Sequence, residues 1–185
     1  MAKLRFFQTN PGCRDYVKIT MDYAVAAARA FQTLATDEKP FNFVYVSGRG
    51  STLKPGTLTP LFGRIKGETE RILSVMRNEN PPFRASTIRP AFIDYAAHDA
   101  IKPYVPPQGA ARSALLGVFG PVIRATAKGA CSPTIPLGRF MTEMAMGKWE
   151  AKLQSEQIEK LGDFPILENT TFRKLAGLDA ESSRG

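Results

Sequence analysis

The chain has 185 residues, 43% hydrophobic and 23% charged, which excludes a disordered, collagenous or disulfide-scaffolded protein and fits one folded domain. Two cysteines and one histidine exclude a cysteine- or histidine-built metal centre and any mechanism that needs two imidazoles. The formal charge of +8, 25 Lys+Arg against 17 Asp+Glu, favours anionic partners, but the basic residues are spread along the chain and form no nucleic-acid motif.

No segment has the composition of a secretory leader or a spanning helix. The most apolar run, residues 114–123, is about half the length a span needs and contains Gly and Pro. The expectation is a soluble, cytoplasmic protein with reduced thiols.

Residues 12–35 predict a helix, with Tyr16, Ile19, Tyr23, Ala26, Ala27, Ala30 and Leu34 at helical spacing as its apolar stripe. Pro40 ends it. Residues 41–47 (FNFVYVS) are aromatic, β-branched and uncharged, which predicts a buried strand of a parallel sheet. Gly48-Arg49-Gly50 closes the strand, and residues 51–60 form a loop rich in Pro, Gly and hydroxyl side chains. A second helix is predicted from Thr59 to Arg77, with Thr59 as N-cap, Pro60 at its first position and a stripe of Ile65, Thr69, Ile72, Leu73 and Met76. Residues 83–93 predict a strand interrupted by Pro90, which belongs at a strand end.

Beyond Asp94 the pattern changes. Residues 94–108 are proline-rich and irregular, and 110–128 and 136–148 are predicted helices, with Met141, Met144, Met146 and Trp149 as helix core. Residues 150–163 are charged and expected to be exposed, 164–167 predict a short strand, and 170–177 a short helix. The alternation of helix and strand predicts an α/β fold: a partial Rossmann-like parallel sheet flanked by helices over residues 12–95, and a mostly helical region over 96–185, within a single domain.

The segments FVYVSGRGS, LFGRIKGETE and STIRPAFI, with the preceding DYVKITMDYAVAAARA, resemble the second half of the short-chain dehydrogenase/reductase superfamily, in its atypical and extended branch of nucleoside-diphosphate-sugar epimerase-like NAD(P)-binding proteins. In such proteins a serine-ending strand precedes a Tyr-x-x-x-Lys helix, and a later strand ends in Arg-Pro beside the nicotinamide. The resemblance is strongest over residues 12–95. It implies NADP or NAD as cofactor and a small carbonyl or alcohol as substrate. It also implies a catalytic role for Ser47 or Ser51 and for Lys66, and cofactor contacts from Ser47, Lys66, Arg89 and Pro90.

The chemistry behind that motif is plain. A phenol exchanges a proton with the reacting oxygen, and a lysine one helical turn away lowers the phenol pKa and holds the ribose. Here Phe62 occupies the tyrosine position in Phe62-Gly63-Arg64-Ile65-Lys66 and has no proton to give. Tyr95 and Tyr104 are the phenols that could approach from the substrate side. Other roles remain open from the residues alone: Lys66 can pair with Glu70 at i+4, Ser47 and Ser51 can serve turn chemistry, and Arg89 can form an ion pair at a strand end. His98-Asp99 is not read as a catalytic pair, because adjacent residues rarely face each other.

The Gly-rich turn that opens a dinucleotide fold is absent, and Gly48-Arg49-Gly50 lacks the third glycine and the downstream acid. The expectation is therefore the nicotinamide-side half of such a fold: either a degenerate oxidoreductase or epimerase-like protein, or a non-catalytic nucleotide-binding or scaffold subunit completed by a partner chain. In both cases an open sheet edge would invite an oligomer.

Overall fold

A computed structural model describes residues 11–105 and 126–179. They form a mixed α/β layer structure, as the alternation of elements predicts. The main sheet has four strands in the order β1 (Phe41–Val46), β2 (Phe83–Arg89), β6 (Phe164–Glu168) and β5 (Glu159–Leu161). The first three run parallel, with Phe41 opposite Phe83, Val46 opposite Ile88 and Thr87 opposite Ile166; β5 closes one edge antiparallel. A second, two-stranded parallel sheet joins β3 (Phe92–Asp94) to β4 (Cys131–Pro133).

The central strands are buried on both faces because alternate residues serve two cores. Tyr45, Phe83, Ala85, Phe164 and Ile166 pack on one face with Leu73 and Met76 of α3 (Leu61–Glu79) and Ala28 of the N-terminal helix. Ile88 and Leu167 point the other way, toward Leu137, Phe140 and Met144 of α4 (Thr134–Ala145) and Phe172 of α6 (Asn169–Leu175). The helices thus cover both faces of the sheet.

Helix α3 starts at Leu61, after Pro60 in an extended conformation. Thr59 is not its cap; its hydroxyl accepts the Gly56 N–H at 2.9 Å within the preceding loop. The predicted stripe of this helix is buried at Ile65, Thr69, Leu73 and Met76.

The N-terminal helix differs from expectation in one respect. It runs as α1 (Pro11–Val17), a π-helical turn (Lys18–Asp22), α2 (Tyr23–Phe31) and a short 3-10 turn (Gln32–Leu34). Its buried side is Val17, Val25 and Ala28, whereas Ile19, Tyr23, Ala26, Ala30 and Leu34 face solvent. The periodic stripe in the sequence is real, but the core uses another side of the helix.

The stretch 150–163 is structured, not merely exposed: α5 (Glu150–Leu153) and β5 bury Leu153 and Ile158. Met144 is core, but Met146 is 63% exposed because it follows the end of α4. The irregular segment after Asp94 contains a 3-10 stretch at Asp99–Tyr104. The predicted helix over 110–128 falls almost wholly outside the described residues, as does the tail 180–185. No helix of the described residues is long and apolar enough to cross a membrane.

Candidate site at the carboxyl ends of the parallel strands

A cleft of about 760 Å³ opens where β1 and β2 end and β3 begins. Its polar side is Ser47, Gly48, Arg49 and Lys66; its apolar side is Val46, Pro90, Phe92, Ile93, Ala127 and Ala130. The volume lies in the range of small-molecule sites, and such sites in open α/β sheets sit outside the carboxyl ends of the strands.

Main-chain bonds build the rim. The Ser47 N–H donates to Ile88 O at 2.9 Å and the Arg49 N–H to Pro90 O at 2.8 Å, which continues the pairing of β1 and β2 past both strands. The loop then folds onto α3, with Thr52 N–H bonded to Gly63 O at 3.1 Å. Gly63 and Gly67, one turn apart, make this approach feasible. A Cβ on Gly63 would collide with the Gly50 carbonyl oxygen, and one on Gly67 with that of Thr52. Gly50 itself has φ +92°, a conformation glycine adopts freely.

Lys66 projects from α3 to the strand end. Its ammonium donates to Ser47 O at 2.6 Å and to Val46 O at 3.5 Å. An ammonium has three donors, so one remains for a ligand oxygen in the cleft. Burial pulls the Lys66 pKa below its ordinary 10.5, and the negative charge of Glu70 partly offsets this. Lys66 does not pair directly with Glu70, because that carboxylate is wholly buried and bonded to Arg89.

Arg89 is turned away from the cleft. Its guanidinium grips Glu70 through two bonds of 3.0 and 2.6 Å and reaches Glu168 at 2.7 Å, which links α3, β2 and β6. Burial works against the charged form, but the two carboxylates outweigh it and leave the Arg89 pKa raised. Pro90, by contrast, lines the cleft. The Ser47 and Ser51 hydroxyls bond each other at 2.9 Å, both buried; Ser47 is at the cleft wall, while Ser51 supports it from behind.

Phe62 is 42% exposed and lies beside Gly50, outside the cleft lining. Tyr95 and Tyr104 do not line the cleft either. His98 Nδ1 bonds Thr134 Oγ1 at 3.0 Å, and Asp99 pairs with Lys102 instead of with the imidazole.

The far wall has its own scaffold. Ser132 Oγ donates to Asn169 Oδ1 at 2.6 Å and accepts the Ala91 N–H at 2.9 Å. Asn169 Nδ2 donates to Gly129 O at 2.7 Å, and Arg173 Nη1 to Cys131 O at 3.0 Å. This network fixes β3 and β4, and with them Phe92, Ile93 and Ala130. Sequence reasoning missed these residues, since no local pattern marks a contact between segments so far apart. The Gly63-x-x-x-Gly67 spacing was a readable sign that backbone approaches α3 there.

The chain is 44% identical over 157 residues to Botcinic acid biosynthesis cluster B protein 16 of Botryotinia fuckeliana (strain B05.10), an alignment that covers 84% of this chain and 99% of that protein. It belongs to the family of that protein. It is also 32% identical over 129 residues to Leucinostatins biosynthesis cluster protein T of Purpureocillium lilacinum, which covers 60% of this chain and 46% of that relative's length. The chain thus matches less than half of this second relative. No protein-family model and no solved structure matches.

Proposed function

We propose that the chain acts in secondary-metabolite biosynthesis as a short-chain dehydrogenase/reductase-type protein, with the cleft as the nicotinamide-side half of an NADP or NAD site. The printed names of the two relatives support the biosynthetic setting. The observation that carries the site is Lys66: a partly buried cation at the end of β1 with one donor left for a ribose hydroxyl. The residues fit this end of a dinucleotide. Lys66 would hold the ribose, Ser47 with Gly48 and Pro90 would flank the ring, and Phe92 and Ile93 would exclude water. When bound, the dinucleotide supplies hydride transfer to or from a carbonyl or alcohol carbon. Phe62 offers no proton, so the chain's own contribution is binding and orientation, and turnover alone is expected to be slow.

Thermal-shift and fluorescence titration with NADPH and NADH tests the reading. Stabilisation by either dinucleotide that is lost in Lys66→Met is expected. No stabilisation at millimolar dinucleotide sinks it.

A second reading, a non-catalytic subunit completed by a partner chain, is favoured by β1. Among the described residues this strand has a sheet neighbour only on the β2 side, and Phe41–Val46 carries no charge to guard an edge. A partner that pairs with β1 and is needed for dinucleotide binding would distinguish this reading.

A further inference from the structure

We propose that the solvent-facing side of the N-terminal helix is a two-fold interface with a second copy of the chain. Ile19, Tyr23 and Leu34 are 64%, 56% and 57% exposed, and Ala26 and Ala30 between them are exposed as well. The steps of four, three, four and four residues keep these side chains on one side of the segment across the π-helical turn, α2 and the 3-10 turn. Its opposite side is already used, with Val17, Val25 and Ala28 in the core. A contiguous exposed apolar stripe of this kind marks an interaction surface.

The order of side chains says what the partner is. The stripe is nearly symmetric about its centre. An antiparallel copy related by a two-fold axis near Ala26 and Ala27 sets Ile19 beside the second copy's Leu34, and Tyr23 beside its Ala30. Alanines meet at the axis, where the backbones come closest, and each large tyrosine ring meets a small residue. Such self-complementarity is what an isologous dimer requires.

The charges agree. Asp22 and Arg29 are exposed, seven residues apart, and so lie on the same flank of the helix. Neither is in an ion pair among the described residues. The same two-fold axis sets each Asp22 two residues, ~3 Å along the helix, from the level of the other copy's Arg29, within reach of an arginine side chain, twice per dimer. The overall +8 charge opposes self-association, but over distances beyond about 8 Å it is screened at physiological salt, whereas the cross-pairs act at contact.

Sedimentation velocity of the full chain over a concentration series is the test, with Asp22→Arg, Arg29→Asp and the charge-swapped double variant. A dimer is expected whose dissociation constant rises about tenfold or more in each single variant and returns close to wild type in the double. Both sites of change, Asp22 and Arg29, are exposed and leave the fold's core untouched, so circular dichroism is expected to be the same for each protein. A monomer up to roughly 100 µM, a dimer indifferent to the single changes, or a double variant no better than the singles would each overturn the proposal.

Discussion

The Lys66 ammonium lies 2.6 Å from the carbonyl oxygen of Ser47, so the helix that follows the loop is tied to the end of the strand that precedes it. This contact places a partly desolvated cation at the mouth of the cleft. It also carries a pH signature. Burial lowers the folded-state pKa of Lys66 below 10.5, so between the two values the unfolded chain binds more protons than the folded one. Stability from this group therefore rises as pH climbs through that window. In Lys66→Met the rise is expected to vanish, which urea midpoints of the two proteins, compared at steps of pH up to 10.5, will show.

Tyr45 should behave in the opposite sense at high pH. Its phenol donates to Thr20 O at 3.3 Å, and burial, with the nearby Glu70 charge adding, pushes its pKa from 10.0 up to about 12. Between these values the folded state keeps a proton that the unfolded state has lost, so stability falls as pH rises through the window. Full ionisation costs on the order of 2–3 kcal/mol. Tyr45→Phe is expected to remove this alkaline loss, and ultraviolet titration of the phenol reads the pKa directly.

The buried pair of Glu70 and Arg89 holds α3 to β2 beneath the cleft. Glu70→Gln leaves a buried guanidinium with only the half-exposed Glu168 as its anion, and a loss of about 3–5 kcal/mol is expected. The double change Glu70→Leu with Arg89→Met should recover a large share of it, because no fully buried charge is then left unpaired and Glu168, 38% exposed, keeps contact with solvent. Denaturant unfolding of the three proteins checks both statements.

Two helical glycines should respond in opposite directions to the same substitution. Gly67→Ala drives a methyl into the Thr52 carbonyl and is expected to cost ~1–3 kcal/mol or more, as at other overpacked sites, and to displace the loop at the cleft. Gly138→Ala in α4 meets nothing within 4 Å and should gain about 0.5–1 kcal/mol from helix propensity. Thermal melts of the pair separate close backbone approach from simple flexibility.

Much of the layer structure was legible in the sequence. The uncharged run Phe41–Val46 forms a parallel strand and the break at Pro90 separates β2 from β3, as these local signals predict, but among the described residues β1 lies at the sheet edge with only Tyr45 buried instead of inside the sheet, and α3 begins one residue after Pro60. The strand 164–167 was also readable, but not its place beside β2, which depends on pairing across some 80 residues of chain. Residues 150–163 looked exposed because charge dominates their composition, while the two residues that fold them, Leu153 and Ile158, are isolated in that pattern.

The site was legible only in part. Ser47, Lys66 and Pro90 meet at the cleft. Arg89 could not be assigned from sequence, because its orientation is set by the buried carboxylate of Glu70, whose spacing to Lys66 offered an equally good local pair. The N-terminal helix shows the same limit. Periodicity reveals an apolar stripe, but when a helix has two, the register of packing against the sheet decides which is core.

The proposed dinucleotide site is the cleft between the ends of β1 and β2. Amide hydrogen exchange of the chain with and without saturating NADPH tests it most directly. Slowed exchange is expected in the loop after β1 (residues 47–51), around Lys66 on α3 and at residues 91–93, with no such protection in Lys66→Met. Unchanged exchange throughout, or protection confined to other regions, would contradict it.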